Sequence, residues 1–160
     1  MSKHVLTFTV NGKRHTLVVQ SHERLLDILR DRLGLKGTKE GCSTGDCGTC
    51  AVLMDGKLVN ACLIFAIQAR NKQIVTIEGI GTPDNPHPIQ RAFMKWNAAQ
   101  CGYCIPAMIL ASMELLDRNP NPTQEDIKRA TSGIICRCTG YLKIFEAVKT
   151  AAAEMKAQAE

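Results

Sequence analysis

Residues 41–50 of the chain read GCSTGDCGTC, with three cysteines and three glycines interleaved in ten positions. A fourth cysteine completes the spacing C-x4-C-x2-C-x11-C, so that the first set is Cys42, Cys47, Cys50 and Cys62. Three thiolates from one loop can converge on an inorganic core, and glycines allow the close wrapping that points backbone N–H groups at it. This is the spacing of plant-type 2Fe-2S sites. Zinc sites more often pair two C-x2-C clips, so the pattern favours a cluster over zinc.

A second set of four cysteines lies in the C-terminal half, as the C-x2-C pair Cys101 and Cys104 and the C-x-C pair Cys136 and Cys138. Four thiolates in this pattern fit either zinc or a 2Fe-2S cluster, and the spacing alone leaves both alternatives open. Cys104 and Cys138 each precede a predicted helix, whose positive N-terminal end would stabilise an anionic cluster. The two sets use all eight cysteines of the chain.

The composition excludes several classes of protein. A dinucleotide-binding domain together with a substrate domain needs roughly twice the 160 residues of this chain, so we do not expect a complete enzyme. The net charge of +5 comes from scattered basic residues, which indicates a solvated surface and no nucleic-acid partner. No apolar run approaches the roughly 20 residues that span a bilayer. The acidic residues form no acid/base pair, so no catalytic residue is predicted.

The cysteines also bear on the cellular compartment. The N-terminal residues lack the basic and apolar pattern of a secretory signal, so we expect a cytoplasmic protein. Metal ligation is favoured over disulfides in that reducing compartment, and Cys136 and Cys138 are too close in sequence for ordinary disulfide geometry. The histidines show no paired spacing and are predicted to lie at the surface or to cap helices: His4, His15, His22 and His87.

The first half of the chain predicts a small mixed sheet with one packed helix. Alternation over residues 5–10, followed by Asn11-Gly12, predicts a β-hairpin whose second strand covers residues 14–19. Apolar residues at helical spacing over residues 25–33, after a possible Ser21 cap, predict the helix. Further strands are predicted over residues 51–54, 57–59 and 74–77.

A proline- and glycine-rich stretch at residues 79–88 marks a predicted boundary between two domains, residues 1–80 and residues 81–160. Beyond it the pattern predicts four helices, over residues 89–96, 106–118, 124–131 and 142–156. The order helix, cysteine loop, helix occurs twice, which predicts a pseudo-twofold unit with the two loops together. The alanine-rich tail after Ala151 is expected to fray. The predicted fold class is therefore α+β.

Four short motifs occur in order along the chain: GTKEGC at residues 37–42, GDCGTC at 45–50, QCGYC at 100–104 and CRCTGY at 136–141. They resemble motifs of the iron-sulfur small subunit of the molybdenum hydroxylases. That family includes xanthine dehydrogenase, aldehyde oxidoreductase and carbon monoxide dehydrogenase. The resemblance covers residues 5–150, nearly the whole chain, and four motifs in the right order make it highly specific.

The resemblance implies a β-grasp ferredoxin domain with an outer 2Fe-2S cluster on the first cysteine set, and a four-helix domain with an inner 2Fe-2S cluster on the second. The inner cluster would lie nearest a molybdopterin cofactor in a large partner subunit. The outer cluster would lie nearer flavin (FAD) in a further subunit, or another acceptor. Gln100 and Cys138 match positions expected to contact the pterin. The assembly would hydroxylate a carbon centre with oxygen from water, and this chain would pass the two released electrons outward singly.

The sequence departs from the family's pattern near the inner cluster. Ile105 and Ala107 stand where Thr and Gly are usual, and Ile134 stands where Asn is usual. An apolar side chain cannot donate a hydrogen bond to a reduced cluster. We therefore expect Ile134 to lower the potential of the inner cluster, and to act electronically rather than structurally.

The function predicted from the sequence is that of an electron-transfer subunit of a molybdenum hydroxylase, a chain that does not turn over substrate alone. A free-standing two-cluster ferredoxin and a zinc-stabilised adaptor are the alternatives. The substrate pocket would lie in another polypeptide, which leaves purines, N-heterocycles, aldehydes, aromatic thioesters and carbon monoxide open.

Overall fold

A computed structural model describes residues 2–159; Met1 and Glu160, the outer ends of the two predicted domains, lie outside the described residues. The strands are β1 (Lys3–Val10), β2 (Lys13–Gln20), β3 (Ala51–Met54), β4 (Lys57–Asn60) and β5 (Gln73–Val75). They form one mixed sheet in the order β2-β1-β5-β3-β4. Helices follow the sheet along the chain, which confirms the predicted α+β class.

Two tight turns set the register of the sheet. Asn11 and Gly12 both have positive φ, of 49° and 77°, and they connect β1 to β2 in the hairpin that the sequence predicts. Asp55 and Gly56 make the matching turn between β3 and β4, with φ of 50° and 78°. β5 then joins the two hairpins, because it pairs parallel with β1 and antiparallel with β3.

The first helix begins at Leu25, where the apolar spacing predicts it, but its cap is not the predicted one. It consists of a short turn, α1 (Leu25–Asp27), and a π-helical continuation over Ile28–Arg32. Arg24 occupies the N-cap position, and the Asp27 carboxylate accepts a hydrogen bond from its amide at 3.2 Å. Ser21 instead forms a hydrogen bond with a side chain of β1. The predicted Ser21 cap is therefore wrong.

The last strand is shorter than predicted. β5 ends at Val75, and the chain then turns through a 3-10 helix, Ile77–Gly79. Thr76 explains the early end, because its amide donates to the side chain of Asn11 at 2.9 Å instead of to a neighbouring strand. A second 3-10 turn, Ala66–Ala69, precedes β5.

The second half of the chain is helical, with bounds close to those predicted. The helices are α2 (Pro88–Lys95), α3 (Ile105–Arg118), α4 (Gln124–Thr131) and α5 (Leu142–Ala159). A capping box begins α4, where the Thr123 hydroxyl accepts from the Asp126 amide at 3.2 Å. The tail after Ala151, which was expected to fray, is helical as far as Ala159, with Ala152 buried. Within residues 2–159, no helix is long and apolar enough to cross a membrane.

Two apolar cores hold the fold, one at the sheet and one among the helices. The helical core reaches the sheet, because Ala51 belongs to it and α3 contacts both β3 and β4. Leu58 and Ile80 also pack against this core. The two halves are thus packed together, which fixes the relative position of the loops that carry the two cysteine sets.

Ile134 lies in the helical core and is only 2% exposed. The expectation that it has no structural role is therefore wrong, since its side chain packs in the core, while its expected effect on the potential of the inner cluster stays a prediction. An asparagine there would place an amide among apolar neighbours. Ile105 and Ala107, the other apolar departures, are buried in the same core at the start of α3.

Candidate metal centres

The loop before β3 turns its backbone amides toward cysteine sulfur. The amides of Thr44 and Cys47 both donate to Cys42 Sγ at 3.4 Å, and the Cys42 amide donates to Cys47 Sγ at 3.3 Å. Cys50 directly precedes β3, and Cys62 lies two residues after the end of β4. One continuous loop thus supplies three of the four thiols, together with N–H groups that stabilise negative charge on Cys42 and Cys47.

Two glycines of this loop stand where no side chain fits. A Cβ on Gly41 would lie 2.6 Å from Cys47 Sγ, and a Cβ on Gly48 would lie 2.1 Å from the backbone oxygen of Gly133. Gly48 also has a φ of +67°, which side chains of L residues rarely adopt. Gly41 therefore keeps the space beside the thiols open, and Gly48 lets the loop approach the helical half.

The second set is assembled from two separate segments. Cys101 and Cys104 precede α3, with Cys104 at its N-cap, so the positive end of the helix dipole lies at the set. Cys136 and Cys138 precede α5. The Tyr141 hydroxyl accepts a hydrogen bond from the Cys136 amide at 2.8 Å. It also donates one to the backbone oxygen of Ile134 at 3.2 Å. A side chain thus fixes the backbone of this segment.

The first set combines an acidic thiol with a buried one. The Thr44 side chain, and then the amides of Thr44 and Cys47, lower the pKa of Cys42 to about 6. Burial raises the pKa of Cys50 to about 12, and the nearby Cys62 and Cys47 also act on it. The four thiols therefore form one group. A bound cation would offset the cost of ionising Cys50.

The thiols of the second set also shift one another's pKa. Burial raises the pKa of Cys104 to about 12, with a contribution from its contact with Cys136 and from Cys101. The contact with Cys101 raises the pKa of Cys138. Burial opposes the ionisation of Cys136, but the hydrogen bonds of the Thr139 hydroxyl and nearby amides outweigh it and lower the pKa of Cys136.

The thiols within each set act on one another in pairs. The pairs are Cys42 with Cys47, Cys50 with Cys62, Cys101 with Cys138, and Cys104 with Cys136. A 2Fe-2S cluster takes four cysteine ligands on two irons, so thiols grouped as two pairs suit it. Across residues 2–159, no group of three or more His, Cys, Asp or Glu side chains is arranged to hold a single metal ion.

The two cysteine regions meet through the backbone. The Ile135 amide donates to the backbone oxygen of Cys47 at 3.0 Å, and Cys136 follows Ile135 directly. The Tyr103 hydroxyl donates to the backbone oxygen of Glu40, which makes a second contact between the regions. Sequence reasoning missed these contacts, because a hydrogen bond between residues far apart in the chain leaves no spacing pattern.

An ion-pair network joins α1 to the first cysteine loop. The Arg24 guanidinium contacts Asp27 beside it and Glu40 in the loop, and it donates to the Ser43 hydroxyl at 3.2 Å. The hydrogen bond with Arg24 lowers the pKa of Asp27. The Ser43 hydroxyl, and then Arg24, lower the pKa of Glu40. Arg24 was not singled out from the sequence, since a lone arginine before a helix is common.

The residues predicted to contact a pterin lie at the surface. Gln100 and Cys138 are both exposed. Three apolar side chains beside the second set are exposed as well, Tyr103 by 45%, Ile135 by 57% and Leu142 by 68%. All three belong to or flank the two segments that carry the second cysteine set.

Known proteins similar to this chain carry iron-sulfur domains. Residues 8–71 match the 2Fe-2S iron-sulfur cluster binding domain, and residues 76–149 match the 2Fe-2S binding domain. The chain is 46% identical to the nicotinate dehydrogenase small FeS subunit of Eubacterium barkeri, over 94% of this chain and 96% of that one. It belongs to the iron-sulfur small subunits of the molybdenum hydroxylases. As a member of that family it binds 2Fe-2S clusters in both halves, which excludes the zinc alternative for the second.

Solved structures of molybdenum hydroxylases share the fold. Quinoline 2-oxidoreductase from Pseudomonas putida 86 contains a chain that superposes with a TM-score of 0.92 at 35% identity, with 97% of both chains covered. Aldehyde oxidoreductase from Desulfovibrio desulfuricans gives a TM-score of 0.93 at 43% identity, with 96% of this chain but 17% of that one covered. The present molybdenum hydroxylase subunit is thus the electron-transfer part of a multi-subunit oxidoreductase.

Proposed function

We propose that the chain carries electrons from a molybdopterin centre in a large partner subunit to a flavin or another acceptor. The residues that would hold the outer cluster are Cys42, Cys47, Cys50 and Cys62, and those that would hold the inner cluster are Cys101, Cys104, Cys136 and Cys138. When bound, each cluster supplies one-electron redox chemistry. The hydrogen bonds that backbone amides donate to Cys42 and Cys47 sulfur, and the Thr139 hydroxyl contact with Cys136 sulfur, support this assignment.

The hydrogen bond between the Ile135 amide and the Cys47 carbonyl carries the proposal. Cys47 belongs to the outer set, and Ile135 is bonded directly to Cys136 of the inner set. A few covalent bonds and one 3.0 Å hydrogen bond therefore connect the two ligand sets. Transfer of single electrons from one cluster to the other needs a short connection of this kind.

The inner set would face the large subunit. Gln100 and Cys138 would contact the pterin, and both are exposed in this chain. Covering Tyr103, Ile135 and Leu142 would remove apolar surface from water, which favours association. The relative that is 46% identical is itself named a small FeS subunit and is covered to 96%, which supports a separate large subunit as the partner.

The finer features of the fold and location belong to the same proposal. Residues 1–80 would form a β-grasp ferredoxin domain, a division supported by the parallel pairing of β1 and β5. Residues 81–160 would form a pseudo-twofold four-helix domain, supported by cysteine segments that precede both α3 and α5. The outer cluster would pass electrons to FAD in a further subunit. Eight free thiols suit a reducing cytoplasm.

The assembly purified from cells tests this proposal. We expect a large molybdopterin-containing chain to co-purify, and each copy of this chain to contain about four iron atoms and about four acid-labile sulfides. Cys47→Ser and Cys104→Ser should each abolish a different reduced-state EPR signal. Loss of the same signal in both variants would contradict the ligand sets. A stable monomer that carries electrons without a large subunit would instead favour the free-standing ferredoxin.

A further inference from the structure

The hydroxyl of Thr139 lies 3.1 Å from Cys136 Sγ. Among the hydrogen bonds to cysteine sulfur in the described part of the chain, this contact is the shortest, since the backbone donors of the first set lie at 3.3 to 3.4 Å. Thr139 is half-buried, so water competes only in part for its hydroxyl. No role was assigned to Thr139 from the sequence.

The direction of this hydrogen bond follows from a neighbouring contact. The backbone amide of Tyr141 lies 3.2 Å from Thr139 Oγ1 and can only donate. It therefore occupies an acceptor position of the hydroxyl, which leaves the hydroxyl proton free for Cys136 Sγ. A cysteine thiolate bound to iron has no proton of its own, so it can only accept.

The surrounding backbone holds Thr139 in this orientation. Gly140 and Tyr141 both have positive φ, of 62° and 67°, and such a conformation is unusual for a bulky residue such as tyrosine. The hydrogen bond that the Cys136 amide donates to the Tyr141 hydroxyl offsets this cost, because it links the two ends of the segment 136–141. Strained backbone of this kind tends to occur at functional sites.

We propose that Thr139 is a positioning residue that raises the reduction potential of the inner cluster by donating a hydrogen bond to Cys136 Sγ. Reduction adds negative charge to the cluster and its sulfur ligands, so the hydrogen bond is stronger in the reduced state. The inference rests on the proposed function, because it requires Cys136 to be an inner-cluster ligand. It concerns the reduction potential of the inner cluster, which sets how strongly that cluster holds an electron.

Thr49 offers a weaker counterpart in the first set. Its hydroxyl lies 3.3 Å from Cys47 Sγ, but the same sulfur also accepts the Cys42 amide at 3.3 Å. A backbone amide remains after any side-chain substitution. Removing the Thr49 hydroxyl should therefore change the outer cluster's potential less than removing the Thr139 hydroxyl changes that of the inner one.

The test is an EPR-monitored redox titration of the intact assembly with Thr139→Val, Thr139→Ser and Thr49→Val. We expect Thr139→Val to shift the reduction equilibrium of the inner cluster about tenfold toward the oxidised form, which is about 59 mV for one electron. Thr139→Ser keeps the hydroxyl and should retain most of the original potential. Thr49→Val should shift the outer cluster by a smaller factor and leave the inner cluster unchanged.

Several outcomes would overturn the inference. An unchanged inner potential in Thr139→Val, or an equal shift of both clusters, shows that the hydroxyl does not act on this cluster. If Thr139→Val fails to assemble, pulsed EPR of the reduced original protein in ordinary and in heavy water should still detect a hydroxyl proton that is coupled to the inner cluster and replaced by deuterium on exchange. The absence of such a coupling would overturn the inference. Cys136→Ser, measured alongside, separates this failure from that of the proposed function, because retention of both cluster signals would show that Cys136 is no ligand.

Discussion

The two cysteine regions of this chain are built in different ways. The first is one loop whose amides point at Cys42 and Cys47 and whose glycines leave room for the thiols. The second joins two distant segments, and the hydroxyls of Thr139 and Tyr141 hold one of them in place. Amides remain after any substitution, whereas a hydroxyl can be removed singly. Substitutions that add a side chain should therefore damage the first region most. Substitutions that remove a hydroxyl should damage the second region most.

Exposure separates the two regions as well. Cys50 and Cys62 of the first set are buried within this chain, at 2% and 5% exposure. Cys101 and Cys138 of the second set are exposed. The subunit itself thus encloses much of the first cysteine set. Two cysteines of the second set would be enclosed only when a partner chain covers them. Electrons entering from a large subunit would meet the less enclosed region first.

The largest effect is expected from Gly41→Ala. The new Cβ would lie 2.6 Å from Cys47 Sγ and 2.7 Å from Thr49 Oγ1, and neither neighbour is the free end of a flexible side chain. We expect the outer cluster to be lost and the inner one kept, so that iron falls from about four to about two atoms per chain. Iron analysis and EPR of the reduced protein measure this outcome.

Gly56→Ala is the matched control for that change. Unlike Gly41, Gly56 has a positive φ, of +78°, but a Cβ there meets nothing within 4 Å, so the control adds a methyl group without a steric clash. This control should lower the free energy of unfolding by about 1–2 kcal/mol through backbone strain, and it should retain both clusters. If Gly41→Ala kept a full outer cluster, the first region would not depend on tight packing around its thiols.

The first region was predictable from sequence because its information is local. Three thiols and their glycines fall within ten residues, and spacing alone indicated the kind of centre. The hairpin turn at Asn11 was predictable for the same reason, since a two-residue loop with positive φ has few sequence solutions. The predicted Ser21 cap was wrong because Arg24 takes the N-cap position and pairs with Asp27 in the first turn.

An intermediate effect is expected from Tyr141→Phe. The change leaves the ring in place but removes the hydroxyl that pairs with the Cys136 amide and the Ile134 carbonyl. Losing partners for partly buried backbone groups costs about 1–3 kcal/mol. In a urea titration, the inner-cluster EPR signal should therefore disappear at a lower urea concentration than in the original protein, with the outer signal less affected.

Tyr103→Phe sharpens the same comparison. Tyr103 is 45% exposed, and its hydroxyl contacts only the Glu40 carbonyl among the described residues. Water can replace that contact, so a smaller shift in urea concentration is expected. Equal shifts from the two tyrosines would show that the second region does not depend on Tyr141 more than on any surface hydroxyl.

The second region was less predictable because its contacts are distant in sequence. The spacing of its cysteines left zinc and a cluster equally open, and only the family relationship decided between them. Ile134 was expected to act on the cluster electronically, yet it is buried in the helical core. Its carbonyl, not its side chain, serves the cysteine segment by accepting from Tyr141. Sequence position near a site does not reveal which part of a residue faces that site.

The smallest effect is expected from Arg24→Gln. This change removes the guanidinium that joins Asp27 to Glu40 of the first loop. The side chains are 28%, 32% and 42% exposed for Arg24, Asp27 and Glu40, so water and salt screen the pairs. We expect a cost of about 0.5–1 kcal/mol. The outer cluster should then be lost to an iron chelator a few times faster, while the inner cluster is lost at an unchanged rate.

Arg32→Gln is the control, because Arg32 pairs with Glu23 at 3.3 Å without contacting the cysteine loop. It should leave the chelation rate of the outer cluster as it is. Raising the salt concentration should bring the original protein closer to the Arg24→Gln variant, since exposed ion pairs weaken as the Debye length shortens. If the Arg24 variant loses its outer cluster no faster than the Arg32 variant does, backbone amides alone hold the loop. The first region would then differ even more from the second, in which side chains fix the geometry.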